Sequence, residues 1–191
     1  SENWHRPQKE VRGLLALLVR YLRNDLPTLN EEGVSIRFIG SRYRLSPRIR
    51  RLFSKVEAVT AKNRGAKLIL AVDYGGKWDI TEAAKYFAER VANGSMSPEE
   101  ITPELFEKHM STDGLSSPDL CIRTGGDIRL SNFMLWQMAY TELYFSDVLW
   151  PDFDEHNLIK AFSDFSCRER RFGMRKAGII SVLKDESSVP I

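Results

Sequence analysis

Arg123 and Arg129 bracket the pair Gly125-Gly126 and lead straight into Ser131 and Asn132. A planar guanidinium grips a phosphate through two parallel hydrogen bonds, and glycine lets backbone N–H groups come close to an anion. Two guanidinium forks, exposed amides and a hydroxyl can therefore converge here on one small anion, and a diphosphate suits them best. A tight turn with two solvated arginines is the competing reading, and an isolated Arg-x-Gly-Gly would favour it. The apolar strand expected before the loop and the aromatic stretch after it shift the balance toward an anion grip.

Glu142 sits in the most apolar and aromatic part of the chain, which runs from Asn132 to Phe145. A carboxylate in such surroundings is costly unless it is paired or bound to a metal. Mg²⁺ held by one or two carboxylates plus substrate phosphate oxygens is one such partner, and a nearby arginine is an equal alternative. The opening Ser1-Glu-Asn-Trp-His-Arg6 packs an acid, an amide, an indole, an imidazole and a guanidinium ahead of the first helix. Read alone, it is compatible with a simple helix-capping region.

Several classes of chemistry drop out. His5, His109 and His156 show no metal-ligand spacing with one another or with Cys121 and Cys167, so a structural zinc is not expected. No G-x-G-x-x-G, Walker A loop, G-x-S-x-G elbow or nucleophilic Cys/His signature occurs. The 28 basic and 26 acidic residues leave a formal charge of +2, which argues against non-specific nucleic-acid binding. At 191 residues, with 42% hydrophobic and 10% aromatic content, the chain is long and apolar enough for one sizeable core. The two cysteines lack C-x-x-C spacing and fit a reducing compartment. No apolar run nears the ~20 residues of a membrane span, and the N-terminus has no signal-peptide core, so a cytoplasmic protein is expected.

The elements that must hold these groups follow from the patterning. Residues 7–31 start at Pro7 and carry Val11, Leu14, Leu15, Leu18, Val19, Leu22 and Leu26 at helical spacing, with Gly33 as the stop. Val34–Ile39 alternates like a strand. Ser46-Pro47 opens a second helix that ends before Gly65, and Lys67–Asp73 reads as a strand buried on both faces. Further helices are expected near Trp78–Val91 and Pro103–Met110, and a short strand at Leu120–Ile122. Trp150-Pro-Asp-Phe-Asp154 reads as a turn into the last helix, with Arg168-Glu-Arg-Arg-Phe-Gly173 as a solvated face or subunit contact. The alternation predicts an α/β fold with a mainly parallel sheet flanked by helices, in which ligands bind beyond the carboxyl ends of the strands. Gly40-Ser-Arg, Asp73-Tyr-Gly-Gly-Lys-Trp-Asp and Arg123-Thr-Gly-Gly-Asp each follow a predicted strand and are expected to share that rim.

Taken together, Ser1-Glu-Asn-Trp with Arg6-Pro, Asp73-Tyr-Gly-Gly-Lys-Trp-Asp, Asp119-Leu-Cys-Ile-Arg-Thr-Gly-Gly, Arg129-Leu-Ser-Asn-Phe, Trp136-Gln, Glu142-Leu-Tyr-Phe and Trp150-Pro-Asp-Phe resemble the cis-prenyltransferases, closely the bacterial undecaprenyl diphosphate synthases. The resemblance runs over residues 1–173 as a single domain, leaving 174–191 as a tail. It implies successive addition of isopentenyl diphosphate to an allylic diphosphate with cis double bonds, dependence on Mg²⁺, a homodimer, and a polyprenyl diphosphate product for the cell-wall lipid carrier. A greasy product further implies work at the inner face of the membrane. Carried over by motif, Arg123, Arg129 and Ser131 would clamp isopentenyl diphosphate, with Leu130 contributing backbone, and Glu142 would bind Mg²⁺. Ser1, Glu2 and Trp4 match substrate contacts and Arg6 a diphosphate contact. Asn3 matches the proposed proton acceptor; a neutral amide is a poor base and suits better the orientation of a group or water that takes the proton. The helix over 7–31 resembles one wall of the product tunnel.

Two departures qualify the resemblance. The family's Asp-Gly-Asn-Gly-Arg-Trp loop, which carries its essential aspartate and allylic site, has no counterpart in these residues, so the sequence is expected to be N-terminally incomplete and inactive as written. Ile128 stands where family members can have a histidine that helps hold the metal, so metal binding from this loop would rest on Asp127 or be absent, and Glu142 is the stronger candidate. A non-catalytic subunit of a two-component cis-prenyltransferase is the alternative, and a nucleotide- or phosphosugar-binding α/β domain is what remains if the resemblance is set aside.

Overall fold

The computed structural model describes residues 4 and 6–170. Ser1, Glu2 and Asn3 of the opening motif and the 174–191 tail lie outside the described residues. The chain divides into two compact units: described residues up to Ser117 together with Leu130–Ala139, and Pro118–Arg129 together with the described residues from Tyr140 onward.

In the first unit, α1 runs Gln8–Glu31 with Pro7 at its N-cap, where a missing N–H costs nothing. Gly33, at φ +73°, turns the chain out of the helix and into β1, Ser35–Ile39. Ser46 caps α2, Pro47–Thr60, by accepting the Ile49 amide, with Pro47 at the first helical position. β2, Lys67–Ala71, lies parallel to β1 in the register Ser35 opposite Lys67 to Ile39 opposite Ala71. α1 buries Leu22 fully and lays Leu15, Leu18, Leu26 and Leu29 on a core of Ile36, Phe38, Leu45, Phe53 and Val56. Phe38 and Phe53 stack there with ring centroids 3.8 Å apart. The Thr60 hydroxyl is fully buried yet satisfied, donating to the Val56 carbonyl and accepting the Ile36 amide.

β2 differs from expectation: Leu68, Ile69 and Leu70 are only half-buried. Its apolar run reads as a strand covered on both sides, but among the described residues it pairs with β1 alone. Further on, α3 spans Gly76–Ala92 and begins two residues before the expected start at Trp78. α4 is a short helix, Pro103–Glu107, capped by Thr102, rather than a helix reaching Met110.

The second unit holds a parallel pair, β3 at Leu120–Arg123 and β4 at Glu142–Phe145, in the register Leu120 opposite Glu142 to Arg123 opposite Phe145. Asp154 caps α5, Glu155–Ser166, by accepting the Asn157 amide at 2.9 Å. The architecture is α/β with parallel strands, as expected. No helix among the described residues is long and apolar enough to cross a membrane.

Candidate functional site

The glycine-rich loop that follows β3 gathers its two arginines. Both Gly125 (φ +88°) and Gly126 (φ +77°) adopt left-handed backbone, and their amides bond back to Val148 and Ser146, which folds the loop over β4. The Arg123 Nη2 and the Arg129 Nη2 each donate to the same oxygen, Oδ2 of Asp127, at 2.7 Å. Arg123 Nη1 also donates to the Arg129 carbonyl. Two guanidinium groups thus meet at one carboxylate oxygen, a geometry that a phosphate oxygen can take as well. Ile128, between them, is exposed.

Glu142 opens β4, its amide held by the Asp119 carbonyl. Its Oε2 accepts from Arg168 Nη1 at 3.0 Å, and the same guanidinium donates to the Leu143 carbonyl and to Asp164 at the end of α5. These carboxylate hydrogen bonds, that to Glu142 foremost, raise the Arg168 pKa further. The arginine partner weighed for Glu142 is therefore present, and Arg168 ties α5 to β4 rather than forming a bare solvated face. Arg170 does the same for Asp119 at 2.5 Å.

Whether Mg²⁺ fits can be judged from the donors. Among the described residues no group of three or more His, Cys, Asp or Glu could hold a metal ion. Glu142 is about 30% exposed, and the Arg168 hydrogen bond uses only its Oε2. That donor set suits a cation taking one oxygen from the protein and the rest from diphosphate and water, and no protein-only cage.

The first unit holds the other candidates. Ser131 (φ +50°) and Asn132 (φ +61°) are non-glycine residues in left-handed backbone, where asparagine is tolerated and serine is strained. The Asn132 carbonyl accepts the Gly76 amide at 2.6 Å and its Oδ1 accepts the Lys77 amide at 2.8 Å, so this residue satisfies two orphan donors at the start of α3. Gly76 is required there: a Cβ would sit 2.9 Å from the Leu135 amide nitrogen. Leu130 accepts the Phe133 amide and closes the turn that presents Ser131. The loops after β1 and β2 lie together, because Ser41 donates its amide to the Asp73 carbonyl and a Cβ on Gly40 would strike the Val72 carbonyl at 2.3 Å. Trp4 packs on the α1 core with Arg44 Cζ 6.0 Å from its ring centroid, and Arg6 pairs with Glu10 at 2.9 Å.

A buried polar cluster gathers around Asp79 of α3, with no local spacing in the sequence to announce it. Asp79 is 2% exposed, and its carboxylate accepts the Tyr74 hydroxyl, the Ser111 amide and hydroxyl, and Gln137 Nε2. Gln137 Nε2 also reaches Thr112 Oγ1 at 2.9 Å. Burial, then the Asp79 charge, pushes the Tyr74 pKa far above the ordinary tyrosine range. Tyr74, Asp79 and Gln137 all stand in the motifs singled out above, so the signal was a polar residue kept inside an apolar stretch. Asp127, named above as a possible metal ligand, instead pairs with both arginines.

The family described as "Putative undecaprenyl diphosphate synthase" matches residues 1–173. The chain is 49% identical over 173 residues to the ditrans,polycis-undecaprenyl-diphosphate synthase ((2E,6E)-farnesyl-diphosphate specific) of Pseudomonas putida, covering 91% of this chain and 69% of that one. It is 46% identical over 178 residues to the enzyme of the same name from Escherichia coli, covering 93% and 70%. Among solved structures, lavandulyl diphosphate synthase from Lavandula x intermedia in complex with dimethylallyl diphosphate matches with a TM-score of 0.87 at 39% identity, covering 91% of this chain and 75% of that one.

Proposed function

The chain belongs to the undecaprenyl diphosphate synthase family of cis-prenyltransferases, and from that membership we propose that it transfers prenyl groups, condensing isopentenyl diphosphate repeatedly onto farnesyl diphosphate to build undecaprenyl diphosphate. In each cycle a carbon–carbon bond forms between the isopentenyl unit and the allylic carbon, the allylic carbon–oxygen bond breaks, and the isopentenyl unit gives up a proton. Negative charge grows on the departing diphosphate, so fixed donors aimed at it lower the barrier.

The observation that carries this reading is the meeting of Arg123 and Arg129 at Asp127 Oδ2. In the proposal isopentenyl diphosphate competes with Asp127 for those two guanidinium groups, and Ser131 with the Leu130 backbone completes the grip. Arg6 exchanges Glu10 for a second diphosphate contact, and Trp4 with Ser1 and Glu2 lines the reacting chain. Asn3 orients the group or water that accepts the proton. Glu142 would hold Mg²⁺ through its remaining oxygen; the cation supplies charge stabilisation for the leaving diphosphate. A homodimer working at the inner face of the membrane, with the product entering the cell-wall lipid carrier pool, completes the proposal.

The test is competition binding on the 191-residue chain with labelled isopentenyl diphosphate and Mg²⁺. Saturable binding displaced by inorganic diphosphate, and lost in Arg123→Ala, is expected. Preference for a nucleotide or a sugar phosphate over isopentenyl diphosphate would overturn the reading.

A further inference from the structure

A cleft of about 560 Å³ opens between α1 and the start of α2, and none of the residues proposed for the diphosphate or Mg²⁺ contacts lines it. Arg12, Arg20 and Arg23 from α1 and Arg48 from α2 line it, over a floor that includes Leu15 and Ile49, and none of its lining residues is acidic. All four arginines are exposed. Arg12 makes one long hydrogen bond to Gln8, and no carboxylate pairs with Arg20, Arg23 or Arg48 among the described residues. Unpaired cations gathered on one face repel each other and raise the local concentration of anions. For a chain with a net charge of only +2, this is a concentrated basic face.

Geometry decides what kind of anion suits it. Arg12 and Arg23 are separated by about 16 Å along the helix at 1.5 Å per residue, too far to share one phosphate. The spacing suits several phosphates presented side by side. No aromatic residue lines the cleft, so single-stranded nucleic acid would find nothing on which to stack its bases. Arginine side chains over an apolar floor match an interface where charged heads lie above hydrocarbon, because their stems bury in the apolar layer while the guanidinium stays with the phosphates.

We propose that the α1–α2 cleft and its arginines dock the protein on the headgroups of an anionic lipid bilayer. The inference rests on the membrane-periphery part of the reading above and not on its chemistry, so it is tested without substrate. The 191-residue chain is sedimented with vesicles of phosphatidylglycerol and phosphatidylcholine, and separately with phosphatidylcholine alone. Binding to the anionic vesicles only, weakening with added salt, is expected. Arg20→Glu/Arg23→Glu should lower the partition coefficient about tenfold or more, at about one significant contribution per arginine near the surface. Lys85→Glu/Lys108→Glu makes the same change in net charge at exposed sites on α3 and just after α4, neither of which lines the cleft, and should lower it less than about twofold.

Equal binding to neutral vesicles, or an equal loss in both variants, overturns the proposal. So does displacement from vesicles by a single-stranded oligonucleotide at stoichiometric amounts, which marks a nucleic-acid surface. Binding of inorganic phosphate that Arg20→Glu/Arg23→Glu abolishes, without any vesicle binding, marks a small-anion site and also overturns it. Isopentenyl diphosphate binding by Arg20→Glu/Arg23→Glu separates the two readings: retained while vesicle binding is lost, it leaves the transferase reading standing alone.

Discussion

Asn132 holds the start of α3 with both of its oxygens, and the side-chain half of that grip is a 2.8 Å hydrogen bond from the Lys77 amide to Oδ1. The residue before it is Ser131, the hydroxyl proposed for the isopentenyl diphosphate clamp, in the same left-handed turn. α3 is a rigid element of seventeen residues, so anchoring the turn to its first amides fixes where Ser131 points. Asn132 is in this sense a positioning residue, acting through Ser131.

Its replacement separates positioning from mere stability. Asn132→Gly keeps the positive φ but loses the acceptor, while Asn132→Asp keeps an acceptor that also favours a helix N-terminus. In a full-length version, KM for isopentenyl diphosphate is expected to rise about tenfold in Asn132→Gly, for one lost hydrogen bond of ~1–1.5 kcal/mol, with kcat little changed. Asn132→Asp should restore it. Equal KM values in all three proteins would remove Asn132 from the clamp.

Arg129 is about 65% exposed, and its pairing with Asp127 adds little to stability, on the order of 0–1 kcal/mol. Its proposed value lies in binding. In a full-length version carrying the family's N-terminal loop, Arg129→Ala should leave thermal unfolding unchanged and reduce kcat/KM for isopentenyl diphosphate by ~1.5–3 kcal/mol, roughly ten- to a hundredfold, as expected for a lost charge-assisted contact. An unchanged kcat/KM excludes Arg129 from substrate binding.

The Asp79 cluster makes the opposite prediction, large in stability. Truncation to Asp79→Ala leaves the Tyr74 hydroxyl and the Ser111 amide without their acceptor, each costing ~1–3 kcal/mol, while Gln137 keeps Thr112. A loss of about 3 kcal/mol or more is expected in urea unfolding, against ~1 kcal/mol for Tyr74→Phe. Tyr74 also sets a slope at high pH. Its pKa is raised in the folded protein, so its contribution is complete below the ordinary tyrosine range and is lost as pH rises toward the folded value, because the unfolded chain releases the proton first. Tyr74→Phe should flatten the fall in stability above pH ~10; identical alkaline slopes would show that the hydroxyl is not protected.

Helices, the first strand and the loop chemistry were legible because each rests on local signals. Pro7 and Gly33 bound α1, Ser46-Pro47 starts α2, and the glycines of the Arg123–Arg129 loop announce close backbone approach. β4 was not legible: Glu142–Phe145 is a short strand preceded by turns through an aromatic stretch, and its pairing with β3 is a non-local event that no spacing encodes. The half-burial of β2 failed for a related reason, since an apolar run reports what a strand could bury and not which neighbours it has. For the proposed site, the arginines and Glu142 stand out as candidates through charge in apolar or glycine-rich surroundings. The partners Asp127 and Arg168 were not assigned, because an ion pair joins residues by position in space.

Glu142 is where those partners decide between two roles. Its ion pair with Arg168 is partly exposed, about 30% on each side, so as a structural contact it is worth on the order of 1 kcal/mol or less. Glu142→Gln keeps an oxygen that can accept from Arg168 but removes the negative charge a cation needs. If Glu142 binds Mg²⁺, the variant, made in a full-length version, should unfold within a few degrees of wild type and need about tenfold more Mg²⁺ for half-maximal incorporation of isopentenyl diphosphate, the order of one lost carboxylate ligand. Arg168→Ala should do the reverse, lowering stability through the lost ties to Asp164 and the Leu143 carbonyl while leaving Glu142 free for the cation. A Mg²⁺ titration that is unaltered in Glu142→Gln, together with a stability loss matching that of Arg168→Ala, would assign the pair to holding α5 on β4 and nothing more.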